Sequence, residues 1–163
     1  MAIKYKYGFT RKIVDRIMYW LIVWDRAPQH YYLLTVPGCK TGLPRTKPIA
    51  LVEVGEQKWL IAPYGTVNWV LNARAAGRVT ITRGKYRESF SITELPVEER
   101  APILKQYIAL FPITRPYFDA QPSDPVKTFI PEAQWRPVFK LDKENRKNIS
   151  PKEIKYVLTD FEP

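Results

Sequence analysis

From Thr10 to Trp24 the chain reads T-R-K-I-V-D-R-I-M-Y-W-L-I-V-W, and Ile13, Ile17, Met18, Trp20, Leu21 and Trp24 fall largely on one stripe of a 3.6-residue helix. With Thr10 placed as an N-cap, an amphipathic helix is expected over 10–24. Its uninterrupted apolar run, Ile17–Trp24, spans 8 residues, too few to cross a bilayer, and Asp25-Arg26 follows with no small-residue cleavage site. Neither a signal peptide nor a transmembrane anchor is expected. Such a helix can pack on a core, rest on a membrane surface or cover a ligand.

After this helix the period changes from 3.6 to 2. The runs 31–36 (Y-Y-L-L-T-V), 46–54 (T-K-P-I-A-L-V-E-V) and 58–62 (K-W-L-I-A) read as strands, the last two joined by a turn at Gly55-Glu56-Gln57. Pro63-Tyr64-Gly65-Thr66 then breaks the chain, and Asn68–Ala76 is rich in helix formers and stops at Gly77. Two alternating runs, 78–83 and 86–94, flank Gly84-Lys85 and predict an antiparallel hairpin. Pro96 opens a helix over 97–110, five prolines make 111–135 irregular, and 136–141 (R-P-V-F-K-L) is a last strand. Ser150-Pro151-Lys152-Glu153 is a capping box that can start a short terminal helix. Tight antiparallel connections instead of repeated β–α–β crossovers predict an α+β antiparallel sheet or barrel. The domain division that follows is an amphipathic helix in 1–26, the barrel in 27–141 and a polar tail in 142–163.

Composition narrows the chemistry. A single cysteine, Cys39, and a single histidine, His30, exclude an internal disulfide, a cysteine-rich metal site and a two-histidine metal site, so no metal ligand set is expected. His30 has no acidic partner nearby in sequence and reads as a hydrogen-bonded residue at a strand edge. Neither phosphate-binding glycine signature, G-x-G-x-x-G or G-x-x-x-x-G-K-[ST], is present. The formal charge is +10, and it is uneven: residues 1–94 hold 15 Lys/Arg against 6 Asp/Glu, the rest 11 against 10. An anionic partner is therefore expected at the first 94 residues. Nucleic acid is the weaker reading of that charge, because the cations gather in one loop and no nucleic-acid-binding motif accompanies them.

That loop is Gly38–Ile49, G-C-K-T-G-L-P-R-T-K-P-I, where Lys40, Thr41, Arg45 and Lys47 put three cations and a hydroxyl within 8 residues. Backbone amides freed by glycine, a hydroxyl and fixed positive charge suit a phosphate. Downstream comes a second turn, A-P-Y-G-T-V-N-W-V-L-N-A-R, leading into a helix N-terminus. The combination G-x-K-[ST]-G-x-x-R-x-x-P-[LI], a hairpin, a small-residue turn and W-x-x-N-x-x-A resembles the deazaflavin-dependent nitroreductase family of coenzyme F420-dependent oxidoreductases. The match is good over 31–94 and weaker over 95–140.

The resemblance implies an antiparallel split β-barrel of the flavin-reductase type, about six strands with flanking helices. By position, Cys39, Lys40, Thr41, Gly42 and Arg45 would meet the phosphate and glutamyl tail of F420. Pro48 and Ile49 would lie along the deazaflavin ring, Ala62, Pro63, Tyr64 and Gly65 would contact it from their turn, and Trp69, Asn72 and Arg74 would stand on the helix behind it. Cys39 stands where the family commonly carries Arg or Lys. The aromatic segment Tyr107, Phe111, Tyr117, Phe118 corresponds to the region that lines the family's substrate pocket, with Tyr117 in the catalytic place. The function so implied is hydride transfer from reduced F420 to a small apolar acceptor such as a quinone, nitroaromatic or enone, in a cytoplasmic monomer or homodimer. Two alternatives stay open at this stage: the same fold holding FMN or haem, and a non-catalytic lipid binder touching the inner membrane face peripherally through Trp20 and Trp24.

Overall fold

The computed structural model describes residues 8–144. In chain order the elements are α1 (Phe9–Val23), β1 (Tyr31–Pro37), β2 (Pro44–Val54), β3 (Gln57–Ile61), α2 (Asn68–Ala76), β4 (Arg78–Arg83), β5 (Tyr86–Glu94), α3 (Val97–Leu110), α4 (Ile130–Ala133) and β6 (Val138–Lys143). The six strands close into a barrel in the order β1-β2-β3-β6-β5-β4, with every neighbouring pair antiparallel. Closure leaves no strand edge with unpaired backbone groups. The α+β antiparallel barrel with flanking helices read from the sequence is the fold observed.

Alternation along the strands sorts side chains into two cores. Leu34, Leu51, Leu60, Ile81, Phe90 and Phe139 fill the first, which α2 joins through Trp69, Val70 and Ala73. Their sequence neighbours Val52, Ile61 and Val138 point the other way, into a second core with Ala101, Leu104, Tyr107 and Ile108 of α3. Because a strand's side-chain period is 2, these strands bury both faces only where a helix covers the outer one. A third, smaller cluster of Ile22, Ala27 and Leu33 fixes α1 to β1. The Gly77 cap of α2 sits at φ 68°, the left-handed conformation that glycine takes without steric cost, and its amide bonds the Ala73 carbonyl.

Several boundaries move. Gly8, not Thr10, precedes α1, and its carbonyl accepts the amides of Arg11 and Lys12, so Thr10 lies inside the first turn. The stretch read as irregular, 111–135, contains 3₁₀ turns at Pro112–Tyr117 and Val126–Phe129 and the single turn of α4. The last strand begins at Val138, two residues later than the alternation suggested, because Arg136 is committed elsewhere. Its guanidinium is fully buried, bonds Glu132, donates to the Tyr117 carbonyl, and lies 3.6 Å from the Phe118 ring centroid and 3.9 Å from that of Trp135. Glu132 in turn accepts the amides of Asp119 and Ala120 at 2.7 and 2.9 Å. This buried pair orders the proline-rich segment that hydrophobic patterning leaves blank. The terminal helix expected from Ser150 lies outside the described residues.

Candidate functional site

A cleft of about 1250 Å³ opens between α1, the β1–β2 loop, the turn before α2 and the end of α3. Its basic end is the loop 38–43, joining strands paired as far as Pro37 and Pro44. The loop is held by its own backbone: the Gly38 amide bonds Leu43 and the Gly42 amide bonds Gly38, both at 2.8 Å. Thr41 Oγ1 accepts the Leu43 amide, and the Cys39 amide donates to Asn72 Oδ1 at 3.0 Å, tying the loop to α2. Lys40, Thr41 and Arg45 are exposed along the cleft, and neither cation forms an ion pair among the described residues.

Lys47 follows on β2, half-buried in the lining. Burial pushes its ammonium below the usual lysine range and Arg11 adds to this, while Asp15 opposes it. A desolvated cation at the mouth of an apolar cleft is stabilised by an anion that enters it. Beyond Lys47 the wall is apolar, with Pro48, Ile49, Ala50, Ile61, Ala62 and Pro63. The far end is aromatic: Tyr31, Tyr64, Tyr107 and Phe111. The cleft thus joins exposed cations of the loop, an apolar wall and a group of phenols, with Arg11 of α1 near enough to Tyr31 and Tyr107 to act on them.

Of the residues singled out in the sequence, Cys39, Lys40, Thr41, Arg45, Pro48, Ile49, Ala62, Pro63, Tyr64, Trp69 and Asn72 line this cleft together. Gly42, Gly65, Arg74 and Tyr117 do not. Gly65 stands at φ 84°, and a Cβ there would come within 3.2 Å of the Trp135 ring, so it shapes the turn from behind. Arg74 grips Glu94 of β5 through Nε and Nη2, both at 2.8 Å. Tyr117 lies one layer back, its ring meeting that of Tyr64 edge-on with centroids 5.0 Å apart.

The cleft also recruits residues outside the motif: Arg11, Asp15, Arg16 and Tyr19 from α1, Tyr31 from β1 and Asn68 from α2. The amphipathic pattern of α1 marks it as a covering element without saying what it covers. His30 does have an acidic partner, 23 residues away: its Nδ1 is 2.8 Å from Glu53 Oε2. That pair lies outside the cleft lining.

The structure thus sets a basic loop and an apolar cleft against a closed antiparallel barrel. The chain belongs to the F420H(2)-dependent quinone reductase family, whose model matches residues 22–119. Among solved structures, one described as an F420-H2 dependent reductase (FDR-A) aligns at TM-score 0.51 and 22% identity, over 70% of this chain and 95% of that one. A chain described as a domain-swapped dimer aligns at TM-score 0.52 and 20% identity, over 82% and 93%. A NimC/NimA family protein from Clostridium acetobutylicum aligns at TM-score 0.50 and 9% identity, over 82% and 88%. At these identities the structural likeness speaks for the fold. No curated protein matches the sequence.

Family membership makes the protein an F420-dependent oxidoreductase and decides for F420 over FMN and haem. The donor set fits that cofactor. Lys40 and Arg45, which form no ion pair among the described residues, and half-buried Lys47 suit its anionic groups, and the wall of Pro48, Ile49, Ala50, Ile61, Ala62 and Pro63 suits its planar ring.

Proposed function

We propose that the cleft carries hydride transfer from reduced F420 to a small, planar, apolar acceptor of the quinone, nitroaromatic or enone type. When bound, reduced F420 supplies the hydride. Lys40, Thr41, Arg45 and Lys47 hold its phosphate and tail, with Asn72 fixing the loop through the Cys39 amide. Pro48, Ile49, Ala62 and Pro63 give its ring an apolar wall, with Trp69 behind, 8% exposed and edge-on to Phe139. Tyr31, Tyr64, Tyr107 and Phe111 surround the acceptor and keep water out. The observation that carries this reading is the lining of the cleft, where Lys40 and Arg45, which form no ion pair among the described residues, stand at the loop end of β1 and β2 and Tyr31, paired with Ala50, stands toward the other end.

α1 adds the route by which an apolar acceptor arrives. Among the described residues no helix is long and apolar enough to cross a membrane. One side of α1 nevertheless exposes Phe9, Ile13, Ile17, Trp20 and Trp24, while Arg11, Asp15 and Tyr19 line the cleft. In this reading α1 rests on anionic lipid and draws acceptor from it.

Titration of F420 into wild type, Lys40→Ala and Arg45→Ala tests the assignment. Each substitution should weaken binding by about 1.5–3 kcal/mol, the scale of a hydrogen bond to a charged group. Unchanged affinity in both variants would remove the cofactor from this loop.

A further inference from the structure

Tyr107 is the one phenol at the aromatic end that the fold buries almost completely, at 5% exposure. It stands on the inner face of α3 with Ala101, Leu104 and Ile108. Phe111 meets its ring at 5.0 Å between centroids and Phe118 at 6.5 Å. A tyrosine packed this deeply normally finds a protein partner for its hydroxyl. Here no group among the described residues hydrogen-bonds it, and the residue is part of the cleft's lining.

We infer that the Tyr107 hydroxyl is the hydrogen-bond donor that captures an acceptor's oxygen, selecting carbonyl- or nitro-bearing rings over plain aromatic hydrocarbons. The inference rests on the acceptor reading of the cleft given above. Burial pushes the phenol far above its ordinary range, with Tyr64 and Tyr31 adding to the effect, so near neutral pH the group keeps its proton. It can only offer that proton to an oxygen brought in by a ligand or by water. A planar ring entering between Tyr31, Tyr64 and Phe111 displaces the water, and a hydrocarbon would then leave the donor unsatisfied. An oxygen on the ring removes that penalty. Nothing in the sequence motif points to Tyr107 over Tyr117: both lie in the same aromatic segment, and only their burial and the cleft's course separate them.

The test compares menadione with 2-methylnaphthalene, the same ring system without oxygens, binding to protein loaded with oxidised F420. Wild type should prefer menadione by about tenfold, the worth of one neutral hydrogen bond, and Tyr107→Phe should lose that preference. Its F420 affinity and melting temperature should stay at wild-type values. Infrared difference spectra supply a second readout: a carbonyl stretch of bound menadione should move to lower frequency in wild type, and Tyr107→Phe should abolish the shift. A preference and a shift that both persist in Tyr107→Phe would overturn the assignment while leaving the acceptor reading intact. Wild type that binds F420 but shows neither menadione binding nor the shift would overturn both.

Discussion

Asn72 and Arg74 are two residues apart on α2, and the fold gives them opposite jobs. Asn72 turns into the cleft and accepts the Cys39 amide; Arg74 is committed to Glu94 on the outside of the barrel. At 100° per residue the two point about 200° apart, so helix geometry allows one of them, not both, to face the ligand. Tyr117 poses the same question at the other end. Its ring backs Tyr64, its carbonyl is held by Arg136, and the residue is not part of the cleft's lining. Tyr117→Phe should therefore keep menadione turnover within about threefold of wild type, whereas general acid catalysis by the hydroxyl would show as a loss of about 10²-fold or more. Tyr117→Ala should destabilise by about 2–3 kcal/mol, less than a fully buried ring, and slow turnover by freeing Tyr64. Stopped-flow oxidation of reduced F420 and melting curves read the two effects separately.

At the scale of the element, α1 serves two faces at once. Phe9, Ile13, Ile17, Trp20 and Trp24 follow one another at helical spacing and are 79%, 47%, 56%, 46% and 64% exposed. Such a stripe beside Lys12 and Arg16 suits an anionic lipid surface. Each nearby cation adds about 1 kcal/mol to that attraction, and salt screens it. The protein should float with vesicles of equal phosphatidylcholine and phosphatidylglycerol at low salt and be released by a high-salt wash. Trp20→Ser with Trp24→Ser should weaken the association without altering F420 affinity. Retention after the wash would contradict peripheral docking.

For the whole molecule, the run of β1, β2 and β3 is reinforced at Glu53 of β2, which meets polar groups from the turn before β1, from β1 and from β3. Its carboxylate meets His30 Nδ1 at 2.8 Å, the Tyr32 hydroxyl at 2.9 Å and Lys58 Nζ at 2.6 Å. Burial alone would push this carboxyl up, but the hydrogen bonds from Lys58, His30 and Tyr32 together outweigh it and hold it below the usual range. A carboxyl depressed on folding contributes stability above its unfolded value and loses it as pH falls through its folded one. Glu53→Gln should therefore cost about 1.5–3 kcal/mol near neutral pH, and the deficit should shrink on acidification through the carboxylate range. Urea unfolding at a series of pH values measures it; a deficit of constant size would contradict the ionic role.

Much of this was legible along the chain. Residues 68–76, 78–83, 86–94 and 97–110 carry their elements in local pattern, because hydrophobic period, glycine stops and proline starts act within a few residues. The basic loop and the Pro48–Ala50 part of the apolar wall are likewise contiguous, so their chemistry could be read in order. What needed the tertiary structure is everything that depends on two distant segments meeting. The placement of β6 between β3 and β5, the Glu132–Arg136 pair inside a segment of no hydrophobic period, the Asn72 tie to Cys39 and the separation of Tyr107 from Tyr117 are of this kind. Sequence spacing fixes which way neighbours on one element point, but burial and hydrogen-bond partners are set only when the barrel closes and brings the elements into contact.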